Sequence, residues 1–558
     1  MVWDIEANGL TREASRIHVI ATRCLSSGER RVFREADLDQ AIKYLNTARL
    51  MIGHNTIMYD KPVLERITNT KLSPPQHDTL VASRLLYPDR GEHPAGGHSL
   101  AAWGKHLGVL KGDFGETTDW QAWSQEMEDY CVQDVEVQSK LFVHLWDLIC
   151  SKSMQEACTL EHQSAEAIQG QIQFGIGFDE GRAYNLFRKL QEKHESVKHN
   201  LQQVFPPLTE ERISEKTGRR LKDKVTVFNP GSRQQIAQRF ISKYGWEPKQ
   251  HTDSGQPKVD ESILRELKYP EADLMVEYLL LEKRLGQISQ WLEYSDSGRI
   301  HGDVNTNGTV TGRMSHSKPN LAQVPGVRSP YGKDCRVLFG PPKGYKHQVG
   351  IDASGLELRM LAHYMSMWDN GDYAEVVLNG DIHSHNQNAA ELETRDQAKV
   401  MIYALIYGAG DKKLGQDILN SSIHAGRRLR SKIMKGLPAL KELMNSSKKV
   451  ASSRGWLRGL DGRVLPVRSE HKALNVLLQS AGAVVMKKAL VILSGKLQGL
   501  NAHFMANIHD EWQIATNEDP ELIGRMGVEA IQEAGTHFKL NIPLDGEYQI
   551  GTDWADCH

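Results

Sequence analysis

The sequence predicts an α/β multidomain protein, and three observations carry that prediction. With 558 residues the chain exceeds one ordinary core, and the usual domain size gives roughly three or four domains. Up to about residue 150, short apolar runs such as LMIGHN and HDTLVASRLL alternate with helical patterns, which is the signature of an α/β unit. After residue 301 short strands and turns (IHGDVNTNGTVTGR) lead into a second α/β region, interrupted from about 380 to 467 by a helical, basic insertion.

Between these regions, residues 151–300 read as long helices, as in TLEHQSAEAIQGQ and LMVEYLLLEKRLGQISQWL. The Pro-rich, charged stretch FPPLTEERISEKTGRRLKDK breaks the pattern, so the expectation is a helical domain with a protruding basic loop. No fixed-period repeat is present.

Composition narrows the function classes. Hydrophobic residues at 40% and charged residues at 25% match soluble globular proteins and argue against disorder. Cys24, Cys131, Cys150, Cys158, Cys335 and Cys557 form no C-x-x-C pair, which favours free thiols in a reducing compartment. The N-terminal MVWDIEANGL lacks a basic start and an apolar h-region, and no apolar run is expected to span a bilayer; an intracellular protein is the expectation. The net charge of −2 conceals segregation: from Arg427 to Lys472 there are thirteen Lys or Arg against Glu442, Asp461 and Glu470. Such a run is a solvated helical face or a phosphate-binding surface, and neighbouring chemistry must decide.

Two sets of carboxylates stand out. Asp4 and Glu6 lie two apart in VWDIEANGL, so on a strand both point to one face. Asp60 follows the loop GHNTIMYD, and Asp134 lies one helical turn after Tyr130 in YCVQD. Four acids converging on one pocket repel one another unless they hold hard cations, and oxygen-only ligands suit Mg²⁺ or Mn²⁺. The second set lies in the C-terminal half. In QVGIDASGLELRMLAHY an apolar strand ends at Asp352, followed by Leu358, Leu361, Ala362 and Met365 at helical spacing. In FMANIHDEWQIAT a strand-turn-strand presents His509, Asp510 and Glu511, making Asp352 and Asp510 a natural pair for two Mg²⁺ ions.

Between them runs an informative helix. Thr394 opens TRDQ, a capping box with Gln397. Arg395, Lys399, Tyr403 and Tyr407 then recur every four residues as a drifting stripe, while Ala398, Met401, Ile402 and Leu405 populate other faces. Two cations near the positive end of the helix dipole suit a polyphosphate.

The set Asp4, Glu6, Asp60, Tyr130, Asp134 resembles the DEDD 3′–5′ exonucleases of the Y-x-x-x-D subclass, over about residues 1–150. Beyond it, DASGLELR, TRDQAKVMIYALIYGAG and IHDEW resemble, in order, the first palm motif, the fingers helix and the second palm motif of family A DNA polymerases. TVTGRMSHSKPNLAQVPG and NVLLQSAGA are similar to that family's primer-template segments, and the bacteriophage replicative members resemble the chain down to the final WADCH. The resemblance implies an RNase H-like exonuclease domain (1–150) followed by a right hand: thumb 151–300, palm 301–379 and 468–558, fingers 380–467.

By the same resemblance, Asp352 and Asp510 ligate two metal ions with Glu511 assisting, and His383, Arg395 and Lys399 bind the triphosphate tail. Tyr407 supports the templating position, Glu357 crowds the sugar 2′ position, and Tyr403 senses the 3′ hydroxyl. Arg313, Gln323, Asn475, Gln479 and His509 resemble residues that touch the primer-template minor groove, whose acceptors are shared by all correct pairs. In the exonuclease, two Mg²⁺ ions would activate water and stabilise the leaving 3′ oxygen, with Tyr130 orienting the water. The implied partners are primer-template DNA and dNTPs, with a phage helicase-primase and a single-strand binding protein, in the cytoplasm of a bacterial host. Phage relatives carry a long thumb insertion that recruits host thioredoxin; only FPPLTEERISEKTGRRLKDKVTVFNPG stands there, so no thioredoxin partner is expected, nor any membrane. A repair or lesion-bypass polymerase and a replisome scaffold are the competing readings. The intact acids of both sets argue against them.

Overall fold

The computed structural model describes residues 1–109, 119–214, 216–252 and 254–557. His558, which ends the WADCH segment, lies outside the described residues.

The N-terminal region is built on a five-stranded sheet. Val2–Ala7 pairs antiparallel with Ile17–Arg23, which pairs with Arg30–Arg34. On its other side, Met51–Gly53 and then Gln76–Asp78 run parallel to it. Every residue of Val2–Ala7 is buried. Its odd residues Trp3, Ile5 and Ala7 pack with Leu45, Val63 and Leu64, while Val2 packs with Met127, Cys131 and Val135 of the helix Gln125–Ser151. The period-two rule therefore turns Asp4 and Glu6 toward that helix.

Within the range expected to be helical, Glu180–Val204 packs along Pro270–Glu293 around Leu190, Leu201, Met275, Leu281 and Trp291, whereas Ile168 of the helix Gln155–Phe174 joins the core of the C-terminal half. Pro270 opens its helix at a first-turn position, where its missing N–H costs nothing. The segment expected to be a basic loop is instead an antiparallel hairpin, Leu208–Ile213 with Arg220–Thr226. Its apolar residues Ile213, Leu221 and Val225 are exposed and interspersed with charges, so no buried face exists for a sequence pattern to reveal.

The C-terminal half centres on a four-stranded antiparallel sheet in the order Ala502–Ile508, Glu511–Thr516, His347–Ala353, Gly546–Gly551. Val349, Ile351, Trp512 and Ile514 share one core with the helices Ala473–Lys496 and Pro520–His537. The second helix lies directly on the sheet because Gly524 and Gly527 have no side chain: a Cβ at Gly527 would stand 2.3 Å from Ile351 Cδ1. The first helix corrects an expectation. The segment Glu470–Lys496 is long and apolar enough to cross a bilayer, but 72% of its apolar window is buried inside the protein, as befits a core helix.

A buried ion network joins the two halves. Glu161, on the helix Gln155–Phe174, receives Lys487 Nζ at 2.5 Å and Arg463 Nη2 at 2.7 Å, and Arg463 also pairs with Asp461 at 2.6 Å. Other members of the basic run likewise bind within the chain: Arg427 and Arg430 to Asp411, Lys432 to Glu391, and Arg468 to Asp89. The six cysteines are free thiols.

Candidate active sites

The first carboxylate set converges. Asp4 and Glu6 sit on one face of the first strand, both buried, and Asp60 opens the helix Asp60–Thr68 with its Oδ1 accepting the Ile5 amide at 3.1 Å. Asp134 lies on Gln125–Ser151 one turn beyond Tyr130, whose ring meets Trp120 edge-on. Burial, then the charges of Asp60, Asp134 and Glu6, push the Asp4 carboxyl well above its ordinary range. Asp60 is pushed up to about 7, chiefly by burial, against the pull of the Ile5 amide. Protons or cations must balance such a cluster, and carboxylate oxygens in this number suit a hard divalent ion.

Three supports of this site were not anticipated. Gln138 Nε2 donates to Asp4 Oδ1 at 2.6 Å, and Cys131 Sγ lies 3.7 Å from Asp4 Oδ2. Gln138 completes the row Tyr130, Asp134, Gln138 at four-residue steps, a signal that the sequence did contain. Asp78 caps the helix Thr79–Leu86 and accepts the amides of Asn55 and Ile57, so it shapes the loop that delivers Asp60.

The second set is assembled at one end of the C-terminal sheet. Asp352 is paired in register with Glu511, and the Ala353 amide donates to the Asp510 carbonyl at 3.1 Å. The two-residue turn between strands puts His509 in the left-handed region, φ 60°, which swings Asp510 to the strand end. Burial first, then Glu357, raise the Asp510 carboxyl above its usual range. The Glu511 carboxylate is drawn inward: Trp554 Nε1 donates to it at 2.7 Å, Gln513 Nε2 at 2.5 Å, and Arg336 lies 4.0 Å away.

The helix Arg395–Ile406 begins with the full capping box of Thr394 and Gln397, and buries Ala398, Met401, Ile402 and Leu405 as expected. Its other face carries Arg395 and Lys399, both exposed, then Tyr403 and, at the C-cap, Tyr407. Tyr407 Oη donates to Glu357 Oε1 at 3.2 Å and Arg313 pairs with Glu357 at 3.8 Å. Burial, then Glu357, Tyr407 and Asp510, raise the Tyr403 phenol, so these groups share one field. His383 stands 6.4 Å from the Tyr403 ring, and burial, then Arg395 and Lys399, lower its imidazole below its usual value. Asp381, absent from the expected set, holds the Arg395 fork at 2.7 and 3.1 Å while capping the helix that carries His383.

Of the remaining candidates, Arg313 and His509 line one cleft with Asp510 and Lys487. Asn475 and Gln479 lie half-buried at i and i+4 on Ala473–Lys496. Asn475 Nδ2 also donates to the Ile406 carbonyl at 3.2 Å, tying that helix to the Arg395–Ile406 helix. Gln323 is exposed on a 3₁₀ turn whose carbonyl accepts Gln287 Nε2 at 2.8 Å. The two carboxylate sets belong to different sheets and different cores.

Comparison with known proteins gives the family. Residues 191–556 match the model of DNA polymerase family A. The DNA-directed DNA polymerases of Enterobacteria phage T3 and Escherichia phage T7 are 35% and 34% identical to the chain over 706 positions, covering 100% of each protein. The thermostable DNA polymerase I of Thermus aquaticus is 28% identical over 59% of the chain and 42% of its own length. Among solved structures, the POL domain of Pol1 from M. smegmatis, in complex with DNA primer-template and dNTP, superposes with a TM-score of 0.83 at 18% identity, covering 100% of this chain and 96% of that one. The chain belongs to DNA polymerase family A and is a DNA-directed DNA polymerase of the T7 and T3 phage type.

Proposed function

We propose that the chain copies DNA at the Asp352/Asp510 site and removes mispaired primer ends at the Asp4/Glu6/Asp60/Asp134 site, with residues 1–150 as exonuclease, 151–300 as thumb, 301–379 and 468–558 as palm and 380–467 as fingers. The single observation that carries the reading is the presence of two carboxylate clusters on separate sheets, one holding Asp4 and Asp60 and the other Asp510, whose carboxyls burial and neighbouring acids raise. Family A polymerases use divalent metal ions; Mg²⁺, or Mn²⁺, is the ion that this all-oxygen donor set suits. Bound in pairs, such ions supply Lewis acidity and charge neutralisation at the reacting phosphate.

In synthesis, Asp352 and Asp510 would hold the ions, and Glu511, locked by Trp554 and Gln513, sets the turn beside them. Arg395, Lys399 and a neutral His383 receive the triphosphate tail along one helix face, where the helix dipole adds to the field. Glu357, fixed between Tyr407 and Arg313, guards the sugar 2′ position, and Tyr403 beside it senses the 3′ hydroxyl. Tyr407 supports the templating position. Arg313, Gln323, Asn475, Gln479 and His509 follow the minor groove. In proofreading, Asp4, Glu6, Asp60 and Asp134 would hold the ions, Gln138 orients Asp4, and Tyr130 would align the attacking water.

DNA and dNTPs are the partners, in the cytoplasm of a bacterial host, with a phage helicase-primase and a single-strand binding protein in the replisome. No thioredoxin partner is proposed: the alignments with the T7 and T3 enzymes run over 706 positions against 558 residues here, so those relatives carry segments that this chain lacks. Primer extension with Mg²⁺, run with and without dNTPs, tests both activities; elongation with dNTPs and shortening without them is the expected pair of results.

A further inference from the structure

A half-buried histidine stands beside the synthesis site. His316 lies on the short strand Ser315–Ser317, three residues after Arg313, and pairs in register with Val304. Its Nε2 stands 2.9 Å from the backbone carbonyl of Asn507. A carbonyl only accepts, so Nε2 carries the proton and donates. Nδ1 is buried without a hydrogen-bond partner. Burial, then the neighbouring His509, lower the imidazole to about 4, so this neutral tautomer persists at working pH.

The location gives the bond its consequence. Ala502–Ile508 is an edge strand, so its outward carbonyls find no partner within the sheet. His316 satisfies that of Asn507, three residues before Asp510, and Asn507, Asp510 and Arg313 border one cleft. The Ala353 amide pins the far end of the same segment at the Asp510 carbonyl. The segment Asn507–Asp510 is thus held from both sides, by the sheet interior and by the ribbon that carries Arg313.

We infer that His316 is a positioning residue for synthesis, fixing through its bond to the Asn507 carbonyl where the Asp510 carboxylate stands relative to Arg313. The inference rests on the proposed role of Asp510. His316→Leu keeps the volume and removes the donor; His316→Gln restores a donor at a similar reach. Single-turnover nucleotide incorporation and its Mg²⁺ requirement are measured beside degradation of single-stranded DNA, with Asp510→Asn in the same series. Expected is an incorporation rate about 10- to 100-fold lower in the Leu variant, a raised Mg²⁺ requirement, degradation within about twofold of the parent, and recovery to within about threefold in the Gln variant. Full incorporation by the Leu variant, equal loss in both variants, or parallel loss of degradation would overturn the inference. An active Asp510→Asn protein would instead overturn the reading of the site itself, which keeps the two failures distinct.

Discussion

Ala353 donates its amide to the carbonyl of Asp510 at 3.1 Å, so the strand that ends in Asp352 and the turn that presents Asp510 are joined through backbone. Neither carboxylate is used in making that joint. The joint fixes both Cα positions, the kind of preorganisation that phosphoryl transfer requires.

Removing a member of the buried ion network should cost more than any surface pair. Glu161→Ala leaves Lys487 and Arg463 buried with one carboxylate, Asp461, between them. A destabilisation of about 3–5 kcal/mol is expected, measured by denaturant unfolding of the core that contains Ala473–Lys496. A loss below about 1 kcal/mol would place the network among weak surface pairs.

Metal-free protein should lose stability as pH rises. Asp60, held at about 7, and Asp4, held well above its ordinary range, keep protons in the folded state that the unfolded chain releases near pH 4. The folded state therefore binds more protons between about pH 4 and 7, and its stability falls across that window. A divalent ion takes over the protons' role, so Mg²⁺ should raise the melting temperature more at about pH 8 than at about pH 5. Asp4→Ala with Glu6→Ala should abolish most of that difference; an unchanged difference would contradict the cluster's role.

Tyr403 should permit dideoxynucleotides. Its phenol shares the field of Glu357 and Asp510, at the place proposed for the nucleotide sugar. Tyr403→Phe should raise discrimination against dideoxynucleotides by tenfold or more, about 1.4 kcal/mol of differential binding. Competition between dNTP and ddNTP in primer extension checks it, and unchanged selectivity would remove Tyr403 from this role.

Much of both sites was legible locally because their residues repeat with the period of the element that carries them. Asp4 and Glu6 followed the strand period, and Tyr130 with Asp134, like the stripe from Arg395 to Tyr407, followed the helix. The supports were harder to read. Trp554 reaches Glu511 from 43 residues away and Gln138 reaches Asp4 from 134, so tertiary packing alone brings them together. Asp381 was hidden differently: a carboxylate beside proposed phosphate-binding cations looks misplaced until its bidentate hold on Arg395 is seen. The hairpin at 208–226 escaped because strand alternation is visible only where one face is buried.

The central claim is that one chain holds two chemically independent sites, and paired variants in one primer-template assay with Mg²⁺ test it most directly. Asp510→Asn should abolish nucleotide incorporation and leave primer degradation near the parent rate, whereas Asp4→Ala with Glu6→Ala should abolish degradation and leave incorporation intact. Loss of both activities from either folded variant would contradict the account.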